Sequence, residues 1–133
     1  MAIRGRPGFS LIELIVVILI VGILAAVSIP LMRGRIDSAK WSEGKAAMGT
    51  IATAIRTYVA EEGAAYKRRP SLTELDFTTN DFKGAYFTAS NYSWRITGHN
   101  PIAFRITATA PNGVGGPKSI VLDQTGIFKE QGK

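Results

Sequence analysis

Hydrophobic side chains follow three successive patterns along the 133-residue chain. In the first pattern, residues 14–32 carry no formal charge and are mostly Leu, Ile and Val. A helix of that length rises by about 28 Å, which roughly matches the hydrocarbon core of a bilayer. The pattern therefore predicts a membrane-spanning helix within residues 9–35.

The second pattern is a single apolar stripe beyond the predicted membrane segment. Its members recur at spacings of three and four, which is typical of one buried helix face. They are Trp41, Gly44, Met48, Ile51, Ile55 and Tyr58. We therefore predict one continuous helix from about Phe9 to Glu62, with an amphipathic half over residues 36–62 and a stop at Gly63. The stripe is expected to lie against a sheet.

The third pattern is an alternation of apolar and polar residues near the C-terminus, which predicts a sheet over residues 92–129. The predicted strands are 92–97, 103–110 and 119–122, and 126–129 could close a hairpin with the third. The fold class is therefore α+β, with one long helix on three or four antiparallel strands in a globular head, residues 36–133.

Residues 63–91, between the helix and the sheet, are expected to form an irregular surface loop region. Four aromatic residues in it are predicted to tuck under the loops as packing anchors. They are Phe77, Phe82, Tyr86 and Phe87.

Cysteine content excludes several kinds of site, and the charge distribution predicts how the chain is oriented in the membrane. The chain has no cysteine, which excludes disulfides, thiolate metal sites and cysteine nucleophiles. The net charge is +6, and Arg4 and Arg6 precede the apolar run, so the N-terminus is expected in the cytoplasm and the head is expected to be exported. A cleaved secretory signal is the rival, but it predicts a shorter apolar region with a small-x-small cleavage site.

One carboxylate, Glu13, lies at the start of the apolar segment, and no other charge follows it until Arg33. A charged side chain at the centre of a membrane helix costs about 2.5 to 3.5 kcal/mol on insertion scales. Glu13 is therefore a functional candidate that needs a partner.

The residues around Glu13 carry a resemblance. The run Gly8-Phe9-Ser10-Leu11-Ile12-Glu13 follows a short basic leader, and Gly22 and Pro30 interrupt the apolar helix after it. Over residues 5–35 the chain resembles the N-terminal signature of type IV pilins and type II secretion pseudopilins.

The resemblance implies the pilin fold and a precursor whose leader is residues 1–8. A prepilin peptidase would cut between Gly8 and Phe9 and methylate the new Phe9 amine. Glu13 of an incoming subunit would then pair with the Phe9 ammonium of a neighbour. The helix would kink at Pro30 and partly melt between Gly22 and Pro30 as subunits assemble.

The same resemblance implies the partners and location of the protein. The partners would be identical or related pilin subunits, the prepilin peptidase, an inner-membrane assembly platform, and membrane lipid before assembly. The subunit would cross the inner membrane once and later join a surface pilus or a periplasmic pseudopilus. A type IV pilus subunit is the first reading, a type II secretion pseudopilin the second, and a non-polymerising anchored binding domain the third.

Other candidate chemistry is sparse. The basic cluster Lys67-Arg68-Arg69 could contact DNA or a negative surface, although a solvated loop is the favoured reading. His99 is the only histidine, and the glycine-rich segment 113–119 lacks the order of a phosphate loop. We therefore expect no catalytic residues, no metal and no cofactor.

Overall fold

The computed structural model describes Gly5 and residues 8–132. Arg4 and Arg6, on which the predicted topology rests, most of the predicted leader, and Lys133 lie outside the described residues. The chain divides into two compact units, Met1–Arg35 and Ile36–Lys133. We describe each unit by itself.

A single α-helix, α1, runs over Leu11–Glu62 and passes through Pro30 without interruption. It begins two residues later than predicted, because Ser10 stands before the first turn and bonds reciprocally with Glu13. It ends at Glu62, where Gly63 takes a φ of +54° that only glycine adopts freely. A short 3-10 turn, Gly63–Ala65, follows.

The N-terminal unit buries none of its described side chains. Its apolar residues from Phe9 to Met32 are all exposed. The most apolar 18-residue window of α1 has a mean hydropathy of 3.1, so α1 is long and apolar enough to cross a membrane. The hydroxyl of Ser28 donates to the Leu24 carbonyl at 2.8 Å, which satisfies a polar group without water.

The head contains a four-stranded antiparallel sheet in the order β1-β2-β3-β4. The strands are β1 (Tyr92–His99), β2 (Ile102–Thr109), β3 (Ser119–Asp123) and β4 (Phe128–Gln131). The predicted α+β fold, one long helix and a small antiparallel sheet, is confirmed.

The last strand begins two residues later than predicted because of the turn before it. The Gly126 amide donates to the Asp123 carbonyl at 3.1 Å, and Gly126 has a φ of +79°. Gly126 therefore belongs to the turn, and β4 starts only at Phe128.

The core of the head lies between the C-terminal half of α1 and one face of the sheet. All six residues of the predicted stripe are buried. Five of them, all except Gly44, share one cluster with buried strand residues, which include Ile96, Phe104, Ile106, Ile120 and Leu122. The stripe prediction is confirmed, and burial of this area is the main source of stability in the head.

Beyond the turn Gly63–Ala65, the loop region contains three further short 3-10 helices, Thr73–Leu75, Thr79–Phe82 and Ala89–Asn91. Phe82 and Phe87 are buried as predicted, and Phe77 is half-buried. The prediction for Tyr86 is wrong, since its side chain is 48% exposed. Its neighbour Phe87 takes the inward position, and the Lys40 ammonium lies 5.4 Å from the centre of the outward Tyr86 ring.

Candidate functional site

The N-terminal candidate site is built around Ser10 and Glu13 at the start of α1. One carboxylate oxygen of Glu13, Oε2, accepts a hydrogen bond from the Ser10 amide at 2.8 Å. The Ser10 hydroxyl in turn accepts from the Glu13 amide at 3.3 Å. This reciprocal capping box satisfies two otherwise free donors of the first turn. It also places the Glu13 carboxylate beside the residue that follows Phe9.

Gly8 and Phe9 precede the helix and are both exposed. The Phe9 side chain is 81% exposed. The predicted cleavage junction therefore lies in exposed, non-helical backbone, just before the Ser10 amide that donates to the Glu13 carboxylate.

Gly22 and Pro30 both lie inside α1. A Cβ added at Gly22 would meet nothing within 4 Å, so no contact within this chain requires a glycine there. Pro30 lacks the amide that would bond to the carbonyl four residues earlier, which weakens the helix locally. Around Gly22 the exposed helix surface is apolar, with Ile15, Ile18, Leu19, Ile23 and Ala26 as the surrounding residues.

In the head, α1 holds the glycine-rich connection between β2 and β3. Asp37 accepts from the Gly115 amide at 3.1 Å, and the Trp41 indole donates to the Gly115 carbonyl at 3.0 Å. Lys40 donates to the Gly113 carbonyl at 2.8 Å. The segment leads into β3 and not into a helix, so it has the role of a packed connection and lacks the setting of a phosphate loop.

Glu43 fastens the loop region to the helix. Its carboxylate accepts hydrogen bonds from the amides of Phe87, Tyr86 and Ala85 at 2.8, 3.0 and 3.1 Å. Partial burial pushes the pKa of Glu43 upward, but the three amides outweigh burial and lower the pKa below its ordinary value of 4.5. The ionised form of Glu43 therefore holds the loop that carries Phe87 into the core.

Two titratable rings of the head need no functional explanation. Burial, with a smaller contribution from the charge of Glu43, raises the pKa of Tyr92 to about 12. His99 is exposed, and its ring centre lies 5.7 Å from that of Tyr66. Among residues 8–132 no group of three His, Cys, Asp or Glu side chains could hold a metal ion.

The three residues of the predicted basic cluster, Lys67, Arg68 and Arg69, have different surroundings in the structure. Lys67 is paired with Glu74, and this hydrogen-bonded ion pair raises the pKa of Lys67 and lowers the pKa of Glu74 to about 2. The Arg68 carbonyl accepts from the Ile96 amide at 2.8 Å, so the loop runs along the outer edge of β1. Arg69 lines a groove on the sheet, and the cluster therefore does not act as three equivalent cations.

The sequence reasoning missed two further cations in that groove. Arg95 of β1 and Arg105 of β2 are directly opposite each other in the antiparallel register. With Arg69 they line a groove of about 680 Å³. Both lie at outward positions of alternating strands, which is the signal that could have found them.

Comparison with known proteins adds to this geometry. Residues 3–29 match the family model of the prokaryotic N-terminal methylation motif. The chain is 44% identical over 55 residues to the type II secretion system core protein G of Pseudomonas aeruginosa, covering 41% of this chain and 39% of that protein. It is 29% identical over 112 residues to the type IV major alpha-pilin of Moraxella bovis, covering 84% of this chain and 66% of that one.

A third relative is the fimbrial protein EcpB of Eikenella corrodens, 39% identical over 58 residues, which are 44% of this chain and 36% of that one. The aligned part thus spans from about a third to two thirds of the length of these relatives. No solved structure matches the chain. The motif match, these relatives and the fold confirm the resemblance of the chain to type IV pilins and type II secretion pseudopilins.

Proposed function

We propose that the chain is a precursor subunit of a type IV pilus. It is cut between Gly8 and Phe9 by a prepilin peptidase, methylated at Phe9, and assembled by bundling of its N-terminal helices on an inner-membrane platform. The observation that carries this proposal is the pairing of a methylation motif with a helix whose apolar side chains are all exposed.

That helix needs an apolar environment. Exposed apolar patches beyond a few hundred Å² mark membrane or protein interaction sites, and this surface continues from Phe9 to Met32. Lipid covers it before assembly, with the N-terminus in the cytoplasm and the head across the inner membrane. Neighbouring helices cover it in the filament, where small residues such as Gly22 and Ala26 allow close approach.

Glu13 has a partner at each stage of this scheme. In the precursor its carboxylate is satisfied by the Ser10 amide of its own chain. Cleavage adds an ammonium group one residue earlier, at Phe9. In the filament the Phe9 ammonium of a neighbouring subunit becomes the partner of the Glu13 carboxylate. Because a buried charge without a partner costs several kcal/mol, every stagger that leaves Glu13 alone is disfavoured.

Gly22 and Pro30 give α1 the means to bend during assembly. Glycine lowers helix stability by about 1 kcal/mol relative to alanine, and Pro30 removes one backbone bond. Partial melting of α1 between Gly22 and Pro30 would let the heads change position after the N-terminal helices have reached their axial register in the filament core.

A type II secretion pseudopilin is the second candidate function. The observation that favours it is the 44% identity to core protein G of Pseudomonas aeruginosa. The alignment with the Moraxella bovis pilin extends over more of the chain, 84% against 41%, and we take this greater coverage as support for the pilus as the first candidate. A structural subunit of either kind needs no catalytic residues, so we do not assign an enzymatic activity.

Mass spectrometry of protein from intact cells tests the proposal. A pilin-type precursor yields a mature chain that begins with methylated Phe9. A chain that keeps Met1, or that begins after Pro30, would contradict it, because the first is unprocessed and the second is a secretory product. Chains recovered in sheared surface fibres indicate a pilus, whereas chains confined to the periplasm indicate a pseudopilus.

A further inference from the structure

The outer face of the sheet carries a groove with an excess of positive charge, since three arginines and one carboxylate, Asp123, line it. Arg69, Arg95 and Arg105 line it, and all three are exposed. None of them forms an ion pair with a carboxylate among residues 8–132. Thr97 and Thr107 add hydroxyl groups to the same groove.

Strand register forces two of these cations together. Arg95 and Arg105 are direct cross-strand partners. Like charges in that position destabilise a sheet, so the arrangement calls for an anion between them. The groove lining includes one carboxylate, that of Asp123 on the neighbouring strand, but this carboxylate already has other partners.

The nearest carboxylate by register is Asp123, which is the β3 partner of Arg105. Asp123 is bonded to Lys129 at 2.8 Å and to Thr125. The hydrogen bond from Lys129 and those from Thr125 lower the pKa of Asp123 to about 2. Its charge is therefore matched within the β3–β4 hairpin, and Arg105 is left for an external ligand.

The third cation is held in place by the backbone on both sides of it. The Arg68 carbonyl accepts from the Ile96 amide at 2.8 Å, and the Pro70 carbonyl accepts from the Trp94 indole at 3.0 Å. Arg69 is thus anchored beside β1, and the loop and the sheet together build one cationic surface.

From these observations we infer that the groove binds the phosphate backbone of a nucleic acid, without reading its sequence. Arginine is suited to phosphate because its guanidinium can donate two parallel hydrogen bonds to the phosphate oxygens. Strands are about 4.8 Å apart, so the groove from β1 to β3 extends for about 10 Å. One nucleic-acid strand places a charge about every 3.4 Å along the helix axis, so the groove covers roughly three phosphates.

This inference is independent of whether the proposed filament is a pilus or a pseudopilus. It replaces the predicted cluster of Lys67, Arg68 and Arg69 with a different set of cations. Lys67 already has Glu74 as its partner, whereas Arg69 acts together with Arg95 and Arg105.

The test uses the full chain in a non-ionic detergent and labelled 20-mer oligonucleotides, single-stranded and duplex. Fluorescence anisotropy gives the affinity at several salt concentrations. Three phosphate contacts predict a slope of log K against log salt of about −2 for single strands and about −3 for duplex. Affinity should be on the order of 10⁻⁵ M near physiological salt.

The diagnostic variant is the double substitution Arg95→Ala and Arg105→Ala. It should bind about tenfold more weakly or worse at low salt, with a slope near −1, because two of the three contacts are lost. A matched control, Lys83→Ala with Lys118→Ala, removes two exposed cations outside the groove and should bind as the wild type does. The double substitution Arg95→Lys with Arg105→Lys keeps both charges but loses the paired donors of the guanidinium groups. Its affinity should lie between those of the wild type and the double alanine variant.

Folding of each variant is checked by the thermal transition of tryptophan fluorescence, since Trp41 and Trp94 both lie in the head. Equal binding by the double alanine variant and the wild type would overturn the inference, as would equal weakening by the groove variant and the matched control. Tighter binding of polygalacturonate than of the oligonucleotide, at equal charge concentration, would overturn the assignment to nucleic acid. If inorganic phosphate displaces the oligonucleotide only at millimolar concentrations, the result supports a polymeric ligand. Displacement at micromolar concentrations would overturn the assignment to a polymer.

Discussion

The two units of this chain use apolar residues in opposite ways. The N-terminal unit exposes its apolar side chains from Phe9 to Met32, and none of its described residues is buried. The head buries a cluster that joins α1, the loop region and the sheet. A segment that buries its own apolar side chains can fold alone, whereas a segment that exposes them must be covered by lipid or by other chains. The comparison separates folding, which depends on the core of the head, from the assembly that we propose for the N-terminal unit.

Two glycines on the same helix sharpen this comparison and give the largest expected effect on the stability of the head. A Cβ at Gly44 would lie 2.9 Å from the Phe87 ring, whereas one at Gly22 would meet nothing within 4 Å. We expect Gly44→Val to destabilise the head by roughly 1–3 kcal/mol through overpacking. Gly22→Val should leave head stability within about 0.5 kcal/mol of the wild type.

Denaturant unfolding of the full chain in detergent, followed by tryptophan fluorescence, measures both variants. Trp41 is a suitable probe because its ring centre lies 5.1 Å from that of Phe87. Equal destabilisation by the two substitutions would break the comparison, because it would mean that the head depends on the N-terminal unit for its stability.

Acid should weaken the head through Glu43, with a smaller effect. The folded pKa of Glu43 is below 4.5, so its contribution is complete above that pH and is lost as the pH falls through the folded pKa. We expect Glu43→Gln to cost about 1 kcal/mol at pH 7 and progressively less below pH 4.5, because the wild type also loses its charge there.

Thermal unfolding of wild type and Glu43→Gln at pH 7 and at stepwise lower pH checks this expectation. Glu61→Gln is the matched control, since Glu61 is exposed on the same helix. A stability difference that does not shrink on acidification would show that the Glu43 charge does not hold the loop.

Local periodicity accounts for most of what the sequence could predict. The stripe from Trp41 to Tyr58 was predictable because helical spacing alone determines which residues share a face. Three strands were located to within a few residues by their alternation, while the start of β4 depended on the turn at Gly126. The outward position of Tyr86 depended on which of two adjacent aromatic rings fits against Gly44.

The two candidate sites also differ in how much of each could be predicted from the sequence. The N-terminal site is contiguous, so residues 8–13 could be recognised directly. The groove joins Arg69, Arg95 and Arg105, which meet only through strand register and through backbone bonds between the loop and β1. Strand alternation alone would place Arg95 and Arg105 on the outer face, but the register and the loop contacts that bring them together with Arg69 do not follow from residue spacing.

The central claim, that Glu13 serves assembly and not folding, is tested most directly by Glu13→Gln. Glutamine also serves in a capping box, so this variant keeps the cap on α1 and removes only the charge. Ser10→Ala is its counterpart, because it removes the cap hydroxyl and keeps the charge. The measurement compares sheared surface fibres with the membrane pool for the wild type and both variants. Our account predicts that Glu13→Gln is inserted and processed but loses most of its fibres, since an unpaired ammonium costs about 3–5 kcal/mol, while Ser10→Ala still assembles. Normal fibre yield from Glu13→Gln, or equal loss in both variants, would contradict it.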